Sequence, residues 1–178
     1  MDPAPPFTTA RLVLRDFVPE DEEPVRAYRR DPRYLAQYPP NDDPMTEAAH
    51  FVVRCRSWAA ERPRRKFQLA LALRPDGPLV GNAGLRLLEP GGGEIGYELD
   101  PRFWGRGLAG EAVDALLRFG FGALGLRRVE ATTGTGNLRS VRLLRRRGFA
   151  RERAPAAGPD QRGVYALESG RWRAGEIK

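Results

Sequence analysis

Apolar positions recur along this chain with two spacings, and the switches between them mark out the elements. Residues 11–15, Arg-Leu-Val-Leu-Arg, read as a first strand. Asp21 can cap a short helix running to about Arg30, with Pro24 tolerated only in its first turn. Residues 38–44 carry Pro39, Pro40 and Pro44 and exclude regular structure. Thr46 then caps a second helix through about Glu61, with Ala49, Val52, Val53 and Ala59 near one face.

Three strands follow in series. Phe67, Leu69, Leu71 and Leu73 alternate with Gln68, Ala70 and Ala72, and Pro75-Asp76-Gly77 makes a turn. Residues 79–87 form a second strand, residues 89–93 turn again, and residues 94–99 form a third. Connections this short predict an antiparallel meander. The spacing then changes to three and four. Ala109, Ala112, Val113, Leu116, Leu117, Phe121 and Leu124 define an amphipathic helix ending near Gly125. Residues 128–133 are a further strand. Asn137 caps a helix through Arg147, with Leu138, Val141 and Leu144 inward and Gly148 as the stop. Residues 164–167 are a last strand, with a weaker partner around 149–153. The order predicts one domain of mixed α/β class, with helices covering both faces of a sheet.

Composition narrows the class. The chain has 178 residues, 41% hydrophobic and 30% charged, which suits a folded domain and excludes a disordered one. No apolar run is long enough to cross a bilayer. The first six residues lack the basic and apolar regions of a secretory signal. One cysteine, Cys55, and one histidine, His50, exclude an internal disulfide framework and leave almost no set of ligands for a transition metal. A cytoplasmic protein without a structural metal is the simplest expectation. The formal net charge is +7, and lysine occurs only at Lys66 and Lys178, so the excess is arginine. Most of it reads as solvated surface; near the glycine-rich loop it suits a polyanionic cofactor.

That loop, Gly105-Arg106-Gly107-Leu108-Ala109-Gly110, matches G-x-G-x-x-G, follows a strand and opens a helix. Glu130 even stands where a dinucleotide fold places its ribose-binding acid. A dinucleotide fold is nevertheless excluded. Only 73 residues follow Gly105, a three-strand meander precedes the loop, and residues 100–104 separate strand from glycine where that fold turns tightly. The physics of the loop survives the exclusion. Glycine permits close backbone approach and positive φ, and free amides at a helix start favour an anion. Arg102 and Arg106 add charge nearby.

Four ordered stretches carry a resemblance to the GCN5-related N-acetyltransferase superfamily, most like the branch that acetylates ribosomal-protein N-termini. They are Thr9 to Arg15 (TARLVLR), Glu94 to Leu99 (EIGYEL), Trp104 to Ala112 (WGRGLAGEA), and Asn137-Leu138-Arg139-Ser140 leading to Arg147-Gly148-Phe149. The resemblance implies a mostly antiparallel sheet splayed between two central parallel strands, here residues 94–99 and 128–133. It implies acetyl-CoA as donor, without a metal, and a primary amine as acceptor: a protein N-terminus or a small amine. Backbone groups near Leu99 would meet the pantetheine arm. Trp104, Gly105, Arg106, Gly107, Leu108 and Ala109 would surround the pyrophosphate. Asn137, Arg139 and Arg142 would add further cofactor contacts. Such enzymes are commonly homodimers, and neither DNA nor membrane is an expected partner.

Amide formation from a thioester needs a neutral amine, a donor for the oxyanion and a proton for the departing thiolate. Ser140, third residue of a helix capped by Asn137, is the candidate acid toward sulfur. Glu94 and Glu98 are the candidate bases; they share a face of their strand unless a bulge intervenes. His50 reads as polar surface, Cys55 as a small buried side chain and Trp58 as packing. Arg142, Arg145, Arg146 and Arg147 form a basic helical face. That face and the net charge motivate the alternative reading, a catalytically inactive RNA- or ribosome-associated module on the same fold.

Overall fold

Alternation along the third strand divides the apolar interior in two. Phe67, Leu69 and Leu71 enter one cluster and Ala70 the other. The computed structural model describes residues 5–38, 47–134, 136–153 and 162–172. Among them one sheet of eight strands runs through the molecule: β1 (Phe7–Thr8), β2 (Leu12–Arg15), β3 (Lys66–Leu73), β4 (Leu79–Leu88), β5 (Gly92–Leu99), β6 (Arg128–Gly134), β7 (Ala150–Arg153) and β8 (Arg162–Glu168). The order is 1-2-3-4-5-6-8-7. Every neighbouring pair is antiparallel except β5 with β6, which is parallel. The class is the expected mixed α/β one.

Helices cover both faces. α1 (Glu22–Arg29), α2 (Pro32–Leu35) and α3 (Ala48–Ala60) bury Val25, Tyr28, Tyr34, Phe51, Val52 and Cys55 around Phe17. α4 (Leu108–Leu117) and α5 (Leu138–Arg146) bury Leu108, Val113, Leu116, Val141 and Leu144 against the opposite face. No helix among the described residues is long and apolar enough to cross a membrane.

Several local expectations need correction. The amphipathic repeat predicted one helix to Gly125, but α4 ends at Leu117 and widens into a π-helical turn over Arg118–Ala123. Gly120 in that turn lets the chain close against Leu126 and Leu85. Asp21 does not cap α1 with its side chain. Its carboxylate is occupied by Arg15, at 2.7 and 2.8 Å, and by the Val18 amide. Leu138, expected inward, is 57% exposed because it is the first residue of α5 and projects at the helix mouth. β1 carries too few residues to show a period. Thr46 and most of the Tyr38–Pro44 segment lie outside the described residues; α3 starts after Glu47.

Candidate active-site cleft

The parallel pairing of β5 with β6 starts at Gly92↔Arg128 and stops at Ile95↔Ala131, although both strands continue. Beyond those residues the strands part. The ladder between β4 and β5 fixes which groups face the gap. The Asp100 amide donates to the Val80 carbonyl at 2.9 Å, in register with Gly81↔Leu99. Antiparallel bonding alternates, so Tyr97 and Leu99 direct their backbone polar groups toward the side that β6 has left. The gap opens into a cleft of about 700 Å³.

Two helix starts face this cleft. At the first, Asp100 caps a short 3-10 turn, Pro101–Phe103, by accepting from the Arg102 amide at 2.9 Å. The chain then passes Gly105 at φ 76° and Gly107 at φ 78°, values that a residue with a Cβ adopts only under strain. Gly107 is the residue before α4 and, as its N-cap, brings no side chain to the first amides of the helix. Trp104, Gly105, Gly107, Leu108 and Ala109 all line the cleft. Arg106 instead stacks on Phe103 at 5.1 Å. Glu111 secures the loop from behind. It accepts from Thr9 Oγ1 at 2.5 Å and from the Arg11 amide and Nε at 2.7 and 2.8 Å, while Arg11 Nη1 donates to the Arg106 carbonyl at 2.8 Å. The first and third of the motif stretches meet here.

The second start is that of α5. Asn137 Oδ1 accepts from the Ser140 amide at 3.1 Å. The Ser140 side chain is buried, and its Oγ lies 2.8 Å from the Tyr97 hydroxyl of β5. Both line the cleft. Burial raises the Tyr97 hydroxyl above its ordinary value, while Ser140 and Arg147 pull it back. Tyr97 was not anticipated as a site residue. Its signal was available, since it shares parity with Ile95, whose side chain faces the α4 and α5 side. Arg139 stacks on Trp104 at 4.7 Å, and Arg142 lines the cleft from an exposed position.

The expected role of Leu99 changes in one respect: its carbonyl accepts from Trp104 Nε1 at 2.8 Å, so its amide is the group left toward the gap. The two carboxylates separate sharply. The register between β4 and β5 runs without a break from Gly92 to Leu99, so no bulge intervenes and Glu94 and Glu98 share a face. Glu94 sits in the half where β5 and β6 still pair, is ion-paired to Arg86 across the ladder and does not line the cleft. Geometry removes it as a base there. Glu98 does line the cleft, yet its oxygens accept from Tyr28 at 2.7 Å, Tyr34 at 2.6 Å, Asn82 at 2.6 Å and Arg29 at 2.8 and 3.1 Å. Burial pushes its pKa up, but Arg29, Tyr34 and Tyr28 outweigh that and hold it below the usual carboxylate range. A carboxylate so furnished with donors is a poor proton acceptor.

The other candidates fall as expected in place. His50 is exposed beside Glu47, Lys66 lies over Trp58 at 4.7 Å, and burial lifts Cys55 to about 12. Glu130, the acid of the excluded dinucleotide pattern, is paired with Arg128 at 2.8 Å within β6. No cluster able to hold a metal occurs among the described residues. The predicted basic face of α5 loses one member, because Arg147 turns inward to Asp114.

The sheet thus parts between its two parallel strands, and two helix starts lie over the gap. Comparison with known proteins gives the family. The model of the acetyltransferase (GNAT) domain matches residues 11–150. The uncharacterized N-acetyltransferase p20 of Bacillus licheniformis is 31% identical over 149 residues, covering 81% of this chain and 82% of that protein. A putative ribosomal-protein-serine acetyltransferase from Vibrio cholerae superposes with TM-score 0.76 at 25% identity, covering 93% of this chain and 99% of that one. Mycobacterium smegmatis RimJ, solved in complex with CoA-disulfide, shares the fold with TM-score 0.76 at 21% identity, over 96% and 91% of the two chains. The chain belongs to the GNAT acetyltransferase family and is an acetyltransferase.

Proposed function

We propose that this protein transfers the acetyl group of acetyl-CoA to a primary amine by direct attack, with both substrates held in the cleft. One observation carries the reading: the starts of α4 and α5 open onto a single gap where β5 and β6 have parted. The diphosphate rests on the amides of residues 105–109, where the left-handed glycines keep side chains out of the way. The pantetheine arm lies along the free edge of β5 at Tyr97 and Leu99. The thioester then lies near Ser140.

The amine nitrogen attacks the thioester carbonyl carbon, and the carbon–sulfur bond breaks. Ser140 delivers its hydroxyl proton toward the departing sulfur and is resupplied by Tyr97, whose oxygen is 2.8 Å away and which recovers its proton from the water that takes up the amine's proton. Holding both reactants in one cleft supplies much of the acceleration. Glu98 fixes the tyrosine wall opposite instead of acting as base, and the amine loses its proton to water in the open cleft. The acceptor class is a primary amine, on a protein N-terminus or a small molecule.

Thermal melting with acetyl-CoA tests the donor. Ligand at a hundred times its dissociation constant should add about 2.7 kcal/mol. A panel of amines assayed for thiol release tests the transfer. No melting shift at millimolar acetyl-CoA, together with no thiol release, would overturn the proposal. Steeply salt-dependent RNA binding without thiol release would favour the inactive module.

A further inference from the structure

At the end of α5 stands an arginine that neither gives nor takes a proton in the proposed reaction. Arg145 and Arg146 are exposed, but the Arg147 side chain is only 12% exposed. Its Nε and Nη2 donate to the two carboxylate oxygens of Asp114, at 2.9 and 3.1 Å, a two-point pairing that fixes direction as well as distance. Asp114 lies on α4, one turn beyond Gly110. The guanidinium occupies the space a side chain at Gly110 would need. A Cβ there would stand 2.1 Å from Arg147 Nη2 and 2.8 Å from Cζ. Arg147 and Gly110 both line the cleft.

The location matters because of the sheet. α4 follows β5 and α5 follows β6, and beyond Ile95 and Ala131 no ladder pairing joins those strands. The pair Arg147–Asp114 links the two units across the side where the sheet no longer does. We propose that Arg147 is a positioning residue for cofactor binding: anchored on Asp114 and seated over Gly110, it sets the spacing between the two helix starts. A ligand that must touch both starts at once then binds a cleft already set to its length, which lowers the ordering cost of association. The inference rests on the proposed reading of the cleft as the acetyl-CoA site.

The experiment is a double-mutant cycle on the full chain, read by thiol release with an accepted amine. Gly110→Ala leaves the arginine present but takes its seat; Arg147→Met removes the cation. Each should raise the KM for acetyl-CoA about tenfold, equivalent to about 1.4 kcal/mol, with kcat at saturating cofactor changed no more than about twofold. The double variant should match Arg147→Met alone, because the added methyl then displaces nothing. Arg147→Lys should recover part of the loss. Melting temperatures check that each variant folds, and Asp114→Asn, which keeps shape but weakens the pair, replaces any that does not. Unchanged KM in the single variants, or penalties that simply add, would overturn the inference while leaving the proposed function standing. A wild-type chain that neither binds acetyl-CoA nor releases thiol would overturn both.

Discussion

Ser140 and Tyr97 come from elements 43 positions apart in the chain and meet at 2.8 Å in the cleft. If they form one proton path, Ser140→Ala should lower kcat about tenfold or more with little change in acetyl-CoA affinity, and Tyr97→Phe should lower it less, because serine can still donate. Steady-state kinetics at saturating acetyl-CoA check this; unchanged kcat in Ser140→Ala would remove the serine from the mechanism. Gly107 is tested separately. A β-branched residue at its left-handed backbone costs about 1–2 kcal/mol and crowds the amides. Gly107→Val should therefore weaken acetyl-CoA binding, measured by calorimetry, while kcat at saturation is largely kept. Sequence made Gly107, Asn137 and Ser140 legible because their roles are local: a positive φ, a cap and the third residue after it. Tyr97, Glu98 and Arg147 were harder. What each does depends on partners far along the chain, as Glu98 does on Tyr28, Asn82 and Tyr34.

Between elements, the decisive feature is the point where β5 and β6 stop pairing. Alternation and short turns located the meander and the later strands within a few residues, because period and turn chemistry are local signals. Where two strands part is not local, and only the family resemblance supplied it. The same contrast holds for α4. Its repeat was legible through Leu117, but the widening to a π-helical turn depends on Gly120 packing against Leu126 and Leu85. The α5 start gives a testable energy. Asn137 satisfies the Ser140 amide, so Asn137→Ala should cost about 1 kcal/mol in chemical denaturation. It should also loosen the serine, so activity should fall further than stability alone accounts for. A variant with full stability and full activity would mean that the cap positions nothing.

At the scale of the whole molecule, the cleft concentrates positive charge around one buried carboxylate. Among the described residues Glu98 is the single acid lining the cleft, against Arg139, Arg142, Arg146 and Arg147. Burial opposes its ionisation, yet Arg29, Tyr34 and Tyr28 hold its folded pKa below the ordinary value. A group depressed by folding contributes stability that is complete above its unfolded value, about 4, and is lost as pH falls through the folded value. Melting temperature should therefore drop on the acid side, and Glu98→Gln should flatten that drop. Because no free carboxylate serves as base in this account, kcat/KM should rise with pH along the acceptor amine's own titration. A plateau set by an enzyme group near neutrality would contradict it. The most direct measurement is a crystal structure with coenzyme A bound. The diphosphate oxygens should lie within about 2.7–3.2 Å of the backbone amides of residues 105–109, with the sulfur beside Ser140. A ligand seated elsewhere, or a diphosphate held by side chains away from the start of α4, would contradict the account.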